Sequence, residues 1–231
     1  MEYNDDEKND FSYELALKND NRTYWQFYIS LIKTRHELIF TFFYNNDFNA
    51  KIIKINLFLF GFALNYIVNG FFFSDDTMHN VYVSKGVFDF EYQLPIIFYS
   101  SFISMFLSIA MQKLALSDDA VIDFKQSKEV GDINEKGQKL IKKLKIKFVF
   151  YFILSFLLLL FFWYYVSIFD AVYRNTQYHL IKDTIIGFCF SLIYPFILNL
   201  FPGFFRLTAL HDPEKDKKYL YNFSKIFNLI T

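Results

Sequence analysis

A single cysteine, Cys189, stands in the 231 residues, which excludes an intramolecular disulfide and any zinc site built from several thiolates. An excess of either charge is also missing. The 24 Lys and Arg balance 24 Asp and Glu, so net charge gives no reason to expect nucleic acid. The opening stretch, MEYNDDEKND, is acidic and has neither a basic n-region nor an apolar core. It reads as neither a secretory signal peptide nor an Arg-rich transit peptide, and the first apolar span is expected to act as its own insertion signal. Catalytic signatures are missing too: H-E-x-x-H, a P-loop, G-x-S-x-G and G-x-G-x-x-G do not occur. His36, His79, His179 and His211 are scattered. No enzymatic activity, metal or cofactor is expected.

What the chain has instead is long apolar runs. Residues 148–169 read FVFYFILSFLLLLFFWYYVSIF, with no charge and only Ser155 and Ser167 as small polar residues. At about 1.5 Å per residue this is roughly 33 Å of helix, close to the hydrocarbon thickness of a bilayer. Lipid offers the backbone no hydrogen-bond partners, so such a run is expected as a membrane-crossing helix. Three more follow the same logic: 55–73, 94–116 and 184–205. The expected fold is therefore all-α, a four-helix transmembrane bundle. The division expected is a 1–50 N-terminal segment, a 51–210 membrane domain and a 211–231 tail. The aromatic fraction of 23% also fits a base-composition bias in the gene, so the aromatics are not read as a ligand cage.

Between the spans the pattern is less regular. Residues 1–21 are polar, with weak helical spacing around Leu15 and Leu17. Residues 22–44 are apolar but interrupted by Lys33, Arg35, His36 and Glu37, too central for a span. They predict a helix lying in the headgroup region, the alternative being a soluble amphipathic helix packed on a partner. In 74–93, Val81–Val83 and Val87–Phe90 around Ser84-Lys85-Gly86 permit a small β-hairpin. Asp75, Asp76 and His79 in the same stretch are read as a solvated loop start rather than a metal site. Pro95 is placed in the first turn of the second span, where its missing N–H costs little. Ser117-Asp118-Asp119 reads as a cap to a helix through about 130, interrupted at Gly131. The fourth span is expected to kink near Pro195, with Pro202-Gly203 ending or bending it, and 225–230 to dock at the interface.

Basic residues predict orientation. Of the 24 Lys and Arg, all but Lys85, Arg174 and Lys182 fall in the N-terminal region, the second connection or the tail. By the positive-inside rule both termini and the long connection, a basic helical loop, are expected in the cytoplasm. Lys139, Lys142, Lys143, Lys145 and Lys147 gather at one membrane edge and are candidates for anionic-lipid contact, beside their plainer role as topogenic charge. The plasma membrane or an endomembrane is the expected location, with the mitochondrial inner membrane as the alternative.

Inside the spans the candidate residues are polar and uncharged. Asn65 and Asn69 lie four apart on one face, Ser104 and Ser108 on a small-residue face with Ser100 and Ser101, and Asn199 in the fourth span. All five are read as helix-packing or pore-lining positions. Asn56 belongs with those able to bond across helices. Asp170 and Arg174 are spaced to pair if the third helix continues, and with Asp183 they sit near the expected outer surface. No acidic or basic residue falls in the central part of a span, which argues against a proton relay or a carrier of charged substrates.

The order of these blocks resembles a transmembrane block of the receptor-like polycystin family. The residues concerned are His36-Glu37-Leu38-Ile39-Phe40, then 49–54 entering a span that ends Asn69-Gly70-Phe71-Phe72. They continue with Leu94-Pro95-Ile96-Ile97-Phe98-Tyr99-Ser100-Ser101, Phe162-Trp163-Tyr164-Tyr165-Val166-Ser167 to Tyr173, and Thr184 to Pro195, ending near Leu198. The resemblance covers about 35–210, and its motifs are hydrophobic and degenerate. These residues contain no lipoxygenase-like domain, ectodomain, voltage sensor or pore helices of that family, so its channel function does not carry over. The resemblance implies an accessory transmembrane bundle of a receptor or channel assembly. The first functional expectation is therefore a non-enzymatic subunit of a larger membrane complex, in contact with the lipid bilayer and other membrane-protein subunits. The alternative is a small channel or carrier formed by self-assembly. A lipid-acting membrane enzyme is disfavoured because no nucleophile–base pair is visible.

Overall fold

The structure is a computed structural model that describes residues 3–85, 87, 89–126, 133–174, 176–211 and 217–230. Among the described residues every regular element is a helix: α1 Asp5–Asn9, α2 Tyr13–Asn19, α3 Tyr24–Arg35, α4 Glu37–Phe42, α5 Lys51–Phe71, α6 Asp75–Val83, α7 Phe90–Ala115, α8 Asp118–Gln126, α9 Ile133–Val172, α10 Gln177–Leu198, α11 Leu200–Leu210 and α12 Lys218–Ile230. Four helical stretches are long and apolar enough to cross a membrane: Lys51–Phe71, Glu91–Ala115, Asn134–Val172 and Gln177–Leu210. The protein is all-α and an integral membrane protein. Its two compact units are Ile52–Ser191 and a second made of Met1–Lys51 with Leu192–Thr231. The N-terminal segment and the tail fall in the same compact unit.

In the unit Ile52–Ser191, α5 is the most enclosed helix. Its Ile53, Phe60, Leu64, Ile67 and Val68 form a core with Met111 and Ala115 of α7 and Tyr151 and Phe162 of α9. Phe58 and Phe62 of α5 both meet the ring of Phe188 on α10. The outward faces of α7 and α9 stay apolar and exposed: Phe98, Phe102 and Phe106 on the first, Phe150, Phe156, Leu160 and Trp163 on the second. This is the pattern of helices solvated by lipid.

Several boundaries differ from the sequence reading, each for a local reason. The expected hairpin over 81–83 is the end of α6, which Ser74 caps by accepting from the Thr77 N–H while Asp75 and Asp76 favour the first turn. Gly86 and Phe88 of that hairpin lie outside the described residues. α7 begins at Phe90, capped by Asp89, so Pro95 sits inside the helix rather than in its first turn. The helix expected to reach about 130 is seen as α8 over Asp118–Gln126, and the rest of it, 127–132 with Gly131, lies outside the described residues. The basic stretch and the third span are one helix of 40 residues. The connection after it shrinks to 173–176, because α10 already starts at Gln177. The break expected near Pro195 falls at Asn199, whose backbone N–H donates to the Pro195 carbonyl at 3.0 Å. Pro202 and Gly203 lie within α11, Pro202 in the first turn, where no N–H is required.

The unit of Met1–Lys51 and Leu192–Thr231 begins with three well-capped helices. Asn4 with Glu7 and Thr23 with Gln26 form capping boxes, and Ser12 accepts from the Leu15 N–H. The N-terminal segment, expected to be polar with weak helical spacing around Leu15 and Leu17, has α2 at that place and buries Phe11, Tyr13 and Ala16 against Ala209 of α11 and Tyr221 of α12. The single helix expected over 22–44 breaks at His36. There the imidazole donates from Nε2 to the Leu192 carbonyl at 2.7 Å and accepts the Ile39 N–H at Nδ1. The tail is helical from Lys218, and Tyr221 and Ser224 are buried; residues 212–216 and 231 lie outside the described residues.

Candidate functional site

Two groups of polar side chains are enclosed by this fold, one in each unit. The first joins the spans. Asn69 of α5, only 3% exposed, donates from Nδ2 to Thr184 Oγ1 of α10 at 3.2 Å. One turn lower Asn65 turns back on its own helix and donates to the Gly61 carbonyl at 3.1 Å. Tyr151 of α9 donates its hydroxyl to Asn56 Oδ1 at 2.5 Å. Gly70 lets the Tyr165 ring approach: a Cβ there would meet Tyr165 Cε1 at 3.4 Å. Ser104 is buried, its Oγ without a hydrogen-bond partner, and Ser108 is half-buried. Asn199 lies in the other unit, fully buried, its Nδ2 on the Pro195 carbonyl at 2.9 Å. Asn65, Asn69, Ser104 and Ser108 thus share one unit, and Asn199 is outside it. Asp183, expected in a loop, is buried within α10. Among the described residues Asp170 and Arg174 form no ion pair, because α9 ends at Val172 before the next turn is complete.

The lysines of α9 divide. Lys139 pairs with Glu135 one turn earlier at 2.6 Å, both exposed. Lys147 donates to the carbonyl of Leu116, the C-cap of α7, at 2.5 Å, where a cation meets the negative end of the helix dipole. Lys142, Lys143 and Lys145 are exposed.

The second group is built around Arg206 of α11, 1% exposed. Its Nε and Nη2 donate to Asp20 Oδ2 at 3.0 and 2.8 Å, Nη2 also to the Lys8 carbonyl at 2.8 Å, and Nη1 to the Asn9 carbonyl at 3.4 Å. The guanidinium lies 4.8 Å from the ring centroid of Phe27 and 4.7 Å from that of Tyr221, a cation–π arrangement on two rings. Arg22 holds the same carboxylate as a fork, Nε on Oδ1 at 2.7 Å and Nη2 on Oδ2 at 2.9 Å, while its Nη1 donates to Asn9 Oδ1 and Ser30 Oγ. Burial alone would raise the Asp20 carboxyl, but Arg22 and Arg206 outweigh it and hold the group below its ordinary value. Burial pushes the Tyr221 hydroxyl, which donates to the Phe11 carbonyl, up to about 12. Burial also lowers Lys225, with Asp10 opposing and Arg206 reinforcing.

None of this second group was singled out from the sequence. Its one prior sign was the placement of charges, Asp20 and Arg22 two residues apart before the aromatic run and Arg206 just after the last span. Among the described residues no group of three or more His, Cys, Asp or Glu is disposed to hold a metal. Asp75, Asp76 and His79 fall on α6, where Asp75 instead accepts from the Tyr173 hydroxyl at 2.8 Å. No family model, no curated protein and no solved structure matches the chain.

Proposed function

We propose that the protein is a non-enzymatic, accessory subunit of a larger membrane complex, a channel or receptor assembly being the kind implied by the polycystin resemblance. The observation that carries this reading is how the spans use their polar groups. Asn69, Thr184, Asn56 and Tyr151 bond to one another between helices. The surfaces left outward on α7 and α9 are apolar and aromatic. Such a unit anchors and packs, its polar groups used to hold one helix against the next. In this reading both termini and the basic half of α9 face the cytoplasm of a plasma or endomembrane system, in keeping with the bias of Lys and Arg.

The test is native mass. The full chain, tagged and extracted in mild detergent, should run as a complex with the same co-purifying membrane proteins in independent preparations. A monomer or pure homo-oligomer overturns the reading. Protease protection of both termini in sealed vesicles checks the orientation.

A second reading, a self-assembled channel or carrier, draws on Asn69 Oδ1 and Ser104 Oγ, buried atoms that no hydrogen bond satisfies. It expects reconstituted flux that Asn65→Leu with Asn69→Leu abolishes while insertion and assembly persist.

A further inference from the structure

Beside the Arg206 cluster lies an open pocket of about 400 Å³, within the size range of small-ligand sites. Three cations line it: Lys8 of α1, Arg22, and Lys33 of α3. Asp5 is the one carboxylate in the lining. The other acids of α1 and its C-cap are turned to other tasks. Asp6 accepts from the Tyr44 hydroxyl at 2.8 Å, Glu7 closes the capping box on the Asn4 N–H, and Asp10 lies 4.0 Å from Arg35. Arg22 is spent on Asp20, Asn9 and Ser30, which take four of its five N–H donors and its charge, so it forms the pocket wall and leaves Lys8 and Lys33 as the cations open to a ligand. Lys8 and Lys33 carry no ion pair among the described residues, and their ammonium groups are free to close on a ligand. Asn21 and Gln26 add carboxamides; the Gln26 oxygen is used in its cap on Thr23, leaving the Nε2 donors for a ligand.

We propose that this pocket binds a phosphate-bearing polar headgroup. Two mobile ammonium groups, Lys8 and Lys33, supply the positive charge and the donors that an anionic phosphate takes. The carboxamides suit the hydroxyls of a polyol attached to it. The exposed apolar side chains of Trp25 and Ile29 lie one turn apart on α3, Ile29 at the pocket itself and Lys33 one turn further. A helix that presents Trp, Ile and Lys in succession along one face seats its aromatic residue at the headgroup level, which favours a lipid as the source of the phosphate over a soluble molecule.

The full chain purified in detergent is titrated with dioctanoyl phosphatidylinositol bisphosphate, read by native mass spectrometry, with dioctanoyl phosphatidylcholine as the neutral control. One bisphosphate lipid per chain is expected at saturation and no comparable phosphatidylcholine binding. Lys8→Gln with Lys33→Gln should weaken the bisphosphate lipid by about tenfold to thirtyfold, from two lost charges near a headgroup. The bond from Arg206 uses the Lys8 carbonyl, so this variant keeps it. Lys33→Gln alone, on the exposed face of α3, serves if the double variant does not fold, with a loss of about fivefold. Lys142→Gln with Lys143→Gln on α9 should bind as the parent does. Inositol trisphosphate as competitor separates the sources: displacement at equal concentration assigns a soluble ligand, displacement only in large excess a lipid, and either keeps the phosphate chemistry. Unchanged affinity in the Lys8 and Lys33 variants, loss only in the α9 variant, or equal binding of phosphatidylcholine overturns the proposal.

Discussion

Arg206 reaches Asp20 across 186 residues of chain, its Nη2 2.8 Å from the Asp20 Oδ2, with both side chains almost wholly buried. A buried ion pair adds little over a well-packed apolar pair, yet removing one partner leaves an uncompensated charge and costs about 3–5 kcal/mol. The two sides are not equivalent. Arg206→Met leaves Asp20 in its fork with Arg22, whereas Asp20→Ala strands two guanidinium groups. Asp20→Ala should therefore be the more destabilising, by urea or thermal unfolding in detergent, and should expose the N-terminal segment to protease first.

Acid should act through the same carboxylate. The folded value of Asp20 is depressed, so its contribution is complete above the unfolded value of about 3.9 and is lost as pH falls through the lowered folded value. Glu37 of α4 acts in the opposite sense. Burial raises its carboxyl to about 7. The folded state then holds a proton that the unfolded chain releases near 4.3, and stability declines as pH rises from about 4.3 to about 7. Glu37→Gln should flatten that decline and leave the acid limb of Asp20 in place, as read from unfolding midpoints across pH 3–8.

The Asn69–Thr184 bond is a modest tie. Double-mutant cycles of interhelical bonds in membranes average about 0.6 kcal/mol and reach about 1.7. Asn69→Leu and Thr184→Val should each destabilise the spans, and a cycle of the two should return a coupling in that range. A coupling near zero would detach the bond from helix packing.

Two glycines make opposite predictions. At Gly203 a Cβ would lie 3.0 Å from Tyr24 Cε2 and 3.4 Å from Phe27 Cδ1, and Tyr24 is held by its hydroxyl on the Leu200 carbonyl at 2.8 Å. Gly203→Ala should cost about 1–3 kcal/mol through overpacking. At Gly137, in the basic half of α9, nothing lies within 4 Å, and Gly137→Ala should gain about 0.8–1 kcal/mol from helix propensity alone. Unfolding of the two single variants, side by side, checks both signs.

The spans were legible because their cause is local: twenty or so apolar residues need no partner to declare a helix. What could not be read depends on distant chain. Val81 to Val83 have strand-forming side chains, but Ser74 with Asp75 and Asp76 starts a helix that carries them along. His36 breaks a helix because its ring finds the Leu192 carbonyl, 156 residues away. Asn69 stood out as a polar residue inside a span, while Thr184, to which it donates, looked like the edge of one. The Arg206 cluster showed only as charges beside apolar runs, since Asp20, Arg22 and Arg206 acquire meaning only when α11 is laid beside α3.

The clasp between the two ends of the chain also has a consequence in time. Tyr13 donates to the carbonyl of Ala209, 196 residues later, and Phe11 is covered by Tyr221. At about 5–20 residues per second of synthesis, the first helices wait roughly 10 to 40 seconds before the surface that buries them exists. During that interval Phe11 and Tyr13 lack Ala209 and Tyr221, and Phe27 lacks Arg206. The order of synthesis therefore sets an order of packing: the early helices α1 and α2 settle only once α11 and α12 have been made.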